Sequence, residues 1–259
     1  SLRGHRNKSL DLQRRSFCYR KKETNFRLSK IKRYKTVSER KSFQNYIQLS
    51  PSALSLYMEC PKCFWLQKIN GIHRPQQIFA LQSNFDRILK PYFDKFRKEG
   101  KLPPELVGKV EGKLFEDQEL LEKWRNALRP TLKYKHPQRE GFSLAGGLDD
   151  CLSDGRYYIP IDFKTTGSSN FEENSAKYYQ HQLDIYNFLL TENGYETKGL
   201  AYLVYYKPEE VAGEGLMKFH ITVKKMETEH KRALRLFEDA IELLQNPMPK
   251  SHSEFQYCS

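Results

Sequence analysis

The sequence predicts a mixed α/β domain, a β-sheet flanked by helices, and three observations point to it. An amphipathic stretch over 82–97 carries Phe85, Ile88, Leu89, Tyr92, Phe93 and Phe96 at a 3.6-residue period, despite Pro91. Two β-like stretches, 142–152 and 156–163, are joined by Ser153-Asp154-Gly155-Arg156, whose Asp-Gly pair is favoured in two-residue hairpin turns. A long helical stretch over 172–191 then leads to Leu200–Tyr206, a continuous apolar and aromatic run that fits a strand buried on both faces. Helix, hairpin, helix, strand, strand, helix is the order of mixed architecture.

The remaining elements follow from local signals. Folding is expected to begin near Ile47, where Ser50 supplies a helix N-cap and Pro51 a preorganised first turn. Leu54, Tyr57, Met58, Phe64, Trp65 and Ile69 continue at helical spacing, with an interruption at Pro61 and an end at Gly71. A shorter helix is expected over 117–128. After the Gly167-Ser168-Ser169 loop, the helix over 172–191 closes at Asn193-Gly194, which reads as a C-cap. Residues 217–223 read as a further strand, and 227–244 as a last helix with Ala233, Leu236, Ile241 and Leu244 along one side.

Charge is unevenly placed along the 259 residues. Residues 1–45 hold 15 Lys and Arg against Asp11, Glu23 and Glu39, a balance of +12, whereas 46–259 carry 29 charges of each sign. Low hydrophobicity and high net charge predict a basic, disordered arm at 1–45, preceding a domain expected at 46–259. Such an arm releases counterions from a phosphate backbone and adds salt-sensitive, sequence-independent affinity for nucleic acid. No apolar run approaches the roughly 18 to 20 residues that cross a bilayer, and no signal-peptide core is evident. No membrane and a cytoplasmic location are the expectations. Five cysteines are an odd count for a disulfide framework and fit a reducing compartment. Cys60-Pro-Lys-Cys63 has the spacing of half a zinc knuckle, with His252 and Cys258 at the other end. An incomplete second half favours Cys60 and Cys63 as small buried hydrophobes.

The chemistry concentrates in Gly146-Gly147-Leu148-Asp149-Asp150 and Ile161-Asp162-Phe163-Lys164-Thr165. Side chains alternate along a strand, so Asp162 and Lys164 share one face. With a two-residue turn at Asp154-Gly155, Gly147 falls opposite Asp162, and Asp149 lies on the same face two positions along. Diagonal neighbours sit roughly 7 to 8 Å apart, which two carboxylates can close on one divalent metal. Asp149, Asp162 and the backbone carbonyl of Phe163 would hold Mg²⁺ or Mn²⁺ beside a scissile phosphate, with Lys164 orienting water or stabilising developing charge.

In this order, Gly-x-x-Asp at 146–149, Asp-x-Lys at 162–164 and Gln182-Leu-Asp-Ile-Tyr186 resemble the PD-(D/E)XK nuclease superfamily, specifically its RecB-like branch. Leu49-Ser-Pro-Ser-Ala-Leu-Ser-Leu-Tyr-Met-Glu-Cys60-Pro61 is similar to the Ser-x-Leu…Cys-Pro opening of RecB-like and CRISPR-associated exonucleases. The resemblance implies a restriction-endonuclease-like fold with Asp149 and Asp162 as metal ligands and Lys164 as catalytic lysine. It makes Gln182 and Tyr186, which share a helical face as i and i+4 neighbours, an accessory pair at the site. Asp86 stands where RecB-like relatives often carry a His or Glu ligand. Relatives with an iron–sulfur cluster use one N-terminal and three C-terminal cysteines. Here Cys60 and Cys258 match, but Phe255 stands where another would be, so no intact cluster is expected. His181 points about 100° away from Gln182 and reads as a surface or core residue. The implied activity is Mg²⁺-dependent hydrolysis of DNA in repair, recombination or defence, with DNA, or RNA, as partner and a helicase or other DNA-processing protein as companion. The alternatives are an RNA-processing nuclease and a catalytically silent nucleic-acid-binding module of the same fold.

Overall fold

A computed structural model describes residues 46–74, 80–167 and 171–250. The basic arm, Ser168 and Ser169, His252, Phe255 and Cys258 lie outside the described residues. The chain opens with a short strand β1 (Ile47–Leu49) and helix α1 (Pro51–Glu59). Ser50 caps α1 by accepting from Ala53 N at 3.2 Å. Cys60 sits between α1 and α2 (Pro61–Trp65), because Pro61 has no N–H to continue the first helix and is well placed to start the second. A π-helical turn over 66–70 ends at Gly71 in the left-handed region (φ 68°). Helix α3 (Ala80–Lys98) runs through Pro91 without ending. Then come β2 (Lys113–Leu114), α4 (Gln118–Arg125), β3 (Leu132–Lys135), β4 (Phe142–Gly146), β5 (Asp150–Ser153) and β6 (Tyr158–Thr165). Helix α5 (Phe171–Glu192), strands β7 (Leu200–Val211) and β8 (Met217–Glu227), and helix α6 (His230–Gln245) complete the chain. Among the described residues no helix is long and apolar enough to cross a membrane.

The strands form two mixed sheets, β1-β4-β3 and β2-β5-β6-β7-β8, flanked by helices, which is the expected mixed α/β, restriction-endonuclease-like architecture. Alternation along β7 shows how the larger sheet is covered. Ala201, Leu203 and Tyr205 face a core shared with Leu183, Tyr186 and Leu190 of α5, whereas Tyr202, Val204 and Tyr206 face one shared with Leu89 and Phe93 of α3. Both faces are therefore dry, which is why 200–206 reads as an unbroken apolar run. On α6 the buried stripe is Ala233, Phe237, Ala240, Ile241 and Leu244, and Leu236 is only half-buried.

Two expectations about the hairpin are corrected. The stretch 142–152 is not one strand: β4 belongs to the smaller sheet and β5 to the larger, and the chain crosses between them at 147–149. Gly147 allows the crossing because a Cβ there would meet Trp124 O at 3.0 Å and Ala127 N at 3.1 Å, at the end of α4. The connection between β5 and β6 spans four residues rather than two. Asp154 Oδ1 accepts from the amides of Arg156 at 3.1 Å and Tyr157 at 2.8 Å, which stretches the loop and makes Ser153 face Tyr158. Pairing then runs to Asp150 opposite Ile161, and one further step brings Asp149, not Gly147, opposite Asp162. A slip of two residues keeps parity, so Asp149 stays on the predicted face and moves closer.

Candidate active site

Asp162 and Lys164 project from the α5 side of β6, and helical spacing sets Tyr179, Gln182 and Tyr186 over them. The Lys164 ammonium lies 2.6 Å from Asp162 Oδ2 and donates to Gln182 Oε1 at 3.1 Å. It also stands 4.7 Å above the centre of the Tyr179 ring, a favourable place for a cation. Gln182 Nε2 donates to Asp162 Oδ1 at 2.9 Å and to the Tyr186 hydroxyl oxygen at 2.5 Å. The Tyr186 hydroxyl in turn donates to Asp162 Oδ1 at 3.5 Å.

Asp149 completes the cluster from the crossover before β5. Its Oδ2 accepts from Phe163 N at 3.1 Å, and its Oδ1 lies 3.6 Å from the ammonium of Lys90 on α3. Phe163 thus meets the site through its backbone, while its ring packs on Phe93 with centroids 4.7 Å apart, on the opposite face of the sheet.

The electrostatics follow from burial and mutual proximity. Complete burial raises the Asp162 pKa to about 7; Lys164 opposes the shift, and the neighbouring Asp149 carboxylate adds to it. Burial alone would lower Lys164, but the charge and hydrogen bond of Asp162 more than offset it, so its pKa is raised. Burial pushes the Tyr186 hydroxyl well above its ordinary range, and the two aspartates push it further. Asp86 is half-buried and raised by burial and then by Asp149, with Lys90 and Lys164 opposing. It therefore shares the field of the site. Among the described residues, however, no three His, Cys, Asp or Glu side chains converge as a metal-binding group, so Asp86 does not close a triad with Asp149 and Asp162.

A family model of the PD-(D/E)XK nuclease superfamily matches residues 48–259, which include every residue of this cluster. The chain belongs to that superfamily. No curated protein matches it. Members are metal-dependent nucleases, and the donor set here suits a hard divalent cation. Two carboxylates stand close enough to raise the pKa of Asp162, and in the structure the second oxygen of Asp162 is held by the Lys164 ammonium, at 2.6 Å.

A second polar group in this chain was not anticipated from sequence. Arg97 of α3 and Arg125 at the end of α4 converge on the fully buried Asp150, at 2.7 and 2.8 Å from Arg97 Nη2 and 2.7 Å from Arg125 Nη2. Both also bond Asp94, at 3.3 and 2.9 Å. Arg125 Nε donates to the Asp149 carbonyl at 3.0 Å, supplying a partner to a backbone group that has left the sheet ladder. The network thus clamps α3, α4 and the crossover bearing Asp149. The one sequence sign was charge embedded in apolar helical stripes: Asp94 and Arg97 beside Phe93 and Phe96, and Arg125 beside Trp124. Tyr179 was legible too, three residues before Gln182 on the same helical face. Replacing Asp150 with Ala leaves two buried guanidinium groups sharing Asp94, with Glu122 as a further partner of Arg125, and is expected to cost about 3 kcal/mol of stability. Urea unfolding followed by circular dichroism measures this, and a loss under about 1 kcal/mol contradicts the clamp.

Other candidates lie apart from the chemistry. His181 is largely buried and bonded to Ser55 Oγ at 2.6 Å, tying α5 to α1. Cys60 and Cys63 are buried beside Leu56.

Proposed function

We propose that this superfamily member is a deoxyribonuclease that hydrolyses phosphodiester bonds with Mg²⁺, or Mn²⁺, held by Asp149, Asp162 and the Phe163 carbonyl. The observation that carries the reading is the convergence of Asp162 and Lys164 of β6, 2.6 Å apart, with the Asp149 carboxylate from the crossover before β5, which accepts from Phe163 N at 3.1 Å and raises the pKa of Asp162. A divalent cation bound there supplies positive charge at a phosphoryl oxygen and acidifies the attacking water. The side chains account for the rest. Gln182 and Tyr186 hold Asp162 Oδ1 and so turn Oδ2 toward Lys164. Lys164, anchored by Asp162 and Gln182, presents a preorganised ammonium where negative charge builds in the transition state. Asp86 adds a third carboxylate at longer range.

The choice of a polyanionic substrate is supported by the 15 Lys and Arg of residues 1–45, set against three acids. DNA repair, recombination or defence, beside a helicase or other DNA-processing partner, are the settings that use such an activity.

The test is incubation of purified protein with labelled linear and circular DNA, and with RNA, in Mg²⁺, Mn²⁺ or EDTA. Cleavage of DNA with either metal and none with EDTA is expected, and circular single strands separate endonuclease from exonuclease action. Cleavage of RNA alone overturns the choice of substrate. No metal-dependent cleavage of any substrate favours a binding module that keeps the fold.

A further inference from the structure

Two lysines approach the carboxylate pair, from opposite faces of the larger sheet. Lys164 comes from the α5 side and is fixed by Asp162, Gln182 and the Tyr179 ring, with 12% of its side chain exposed. Lys90 comes from α3, one helical turn after Asp86, and its side chain is 28% exposed. It pairs at 3.6 Å with Asp149 Oδ1, the oxygen that Phe163 N leaves free, and its charge also acts on Asp86. At 3.6 Å the pair is long, with 28% and 21% of its side chains exposed, and the flexible lysine stem leaves the ammonium able to move.

A divalent cation on Asp149 changes the balance. Coulomb repulsion scales with the product of the charges, so a divalent ion repels a neighbouring ammonium twice as strongly as a monovalent one at the same distance. Lys90 and a metal ion therefore compete for Asp149, whereas Lys164, whose partner Asp162 is also a proposed ligand, keeps Gln182 at 3.1 Å and the Tyr179 ring as anchors. The displaced ammonium remains tethered by α3 at the mouth of the site, and the anion brought there by a nuclease substrate is a phosphate.

Resting on the nuclease reading above, we propose that Lys90 is a second phosphate-binding lysine, held on Asp149 until a divalent cation takes that carboxylate and then released to a non-bridging oxygen of the substrate backbone. It differs from an ordinary surface cation in two opposite effects. Before substrate binds, Lys90 weakens the metal site by competing for Asp149. Once the metal is in place, Lys90 strengthens the hold on nucleic acid.

The variants are Lys90→Met, which keeps the length of the stem and removes the charge, and Lys90→Arg, which keeps the charge. Mn²⁺ binding to the nucleic-acid-free protein is read from the electron paramagnetic resonance signal of free Mn²⁺. Affinity for labelled single- and double-stranded DNA is measured in Ca²⁺ across a salt series. Lys90→Met is expected to bind Mn²⁺ roughly 2- to 5-fold more tightly, the range that a long, partly exposed ion pair allows. Its DNA affinity should fall, with a salt slope shallower by about one unit, and Lys90→Arg should restore the slope. Unchanged or weaker Mn²⁺ binding in Lys90→Met, or an unchanged salt slope, overturns the proposal. Asp162→Asn is the control that keeps the two readings apart. Loss of Mn²⁺ binding in Asp162→Asn with no effect of Lys90→Met sinks the role of Lys90 alone. Undiminished Mn²⁺ binding in Asp162→Asn sinks the nuclease site and this inference with it.

Discussion

Asp162→Ala is expected to abolish metal-dependent cleavage, a fall of at least about 10³-fold, while the fold persists. The metal's charge stabilisation amounts to several kcal/mol, and each 1.36 kcal/mol is a factor of ten in rate. Asp162 is fully buried, held at Oδ1 by Gln182 and Tyr186 and paired at Oδ2 with Lys164. The same burial gives the site a pH signature. With the Asp162 pKa raised to about 7, a proton and a metal compete for one carboxylate near neutrality. Metal affinity should rise with pH through that region and flatten above it, because a carboxylate must be deprotonated to ligate. Calorimetric Mn²⁺ titrations from pH 5.5 to 8.5 measure the slope. Affinity independent of pH, or an Asp162→Ala protein that cleaves at the original rate, would falsify the assignment of Asp162 as a ligand.

Lys164→Ala is expected to lower single-turnover cleavage by about 10²- to 10³-fold and leave DNA affinity in Ca²⁺ nearly unchanged. The asymmetry arises because the ammonium is already fixed before substrate arrives, by Asp162 at 2.6 Å and Gln182 at 3.1 Å. A charge placed in advance stabilises the transition state without reorganising. Lys164 also holds down the pKa of Asp162, so its removal raises that pKa further and weakens metal binding near neutral pH. The comparison therefore belongs at saturating metal, which removes that second effect. Loss of affinity with the bound-state rate preserved would make Lys164 a plain phosphate contact, of the kind proposed for Lys90.

The strongest features of the fold were legible because local chemistry and tertiary context agree. Ser50 before Pro51, Pro61 after Cys60 and the Leu200–Tyr206 run each carry a single physical meaning, and the structure uses each accordingly. The short strands β1, β2 and β3 have no such mark. At two to four residues they are too brief for alternation to show, and they exist because β4 and β5 offer edges to pair with.

The site divides in the same way. Sequence alone determined that Asp162 and Lys164 share a face and that Gln182 and Tyr186 share another, since strand and helix periods are properties of the chain itself. It also put Asp149 on the correct side, because the misjudged turn slipped by an even number of residues. Only the tertiary structure decided how close Asp149 comes to Asp162, for that depends on Asp154 capturing two amides and on the end of α4 resting against Gly147. The tertiary structure also decided that Lys90, Arg97, Arg125 and Asp150 meet around the Asp149 crossover from three separate elements. A buried charge is tolerated only where partners from elsewhere in the chain complete it, and a one-dimensional pattern does not contain those partners.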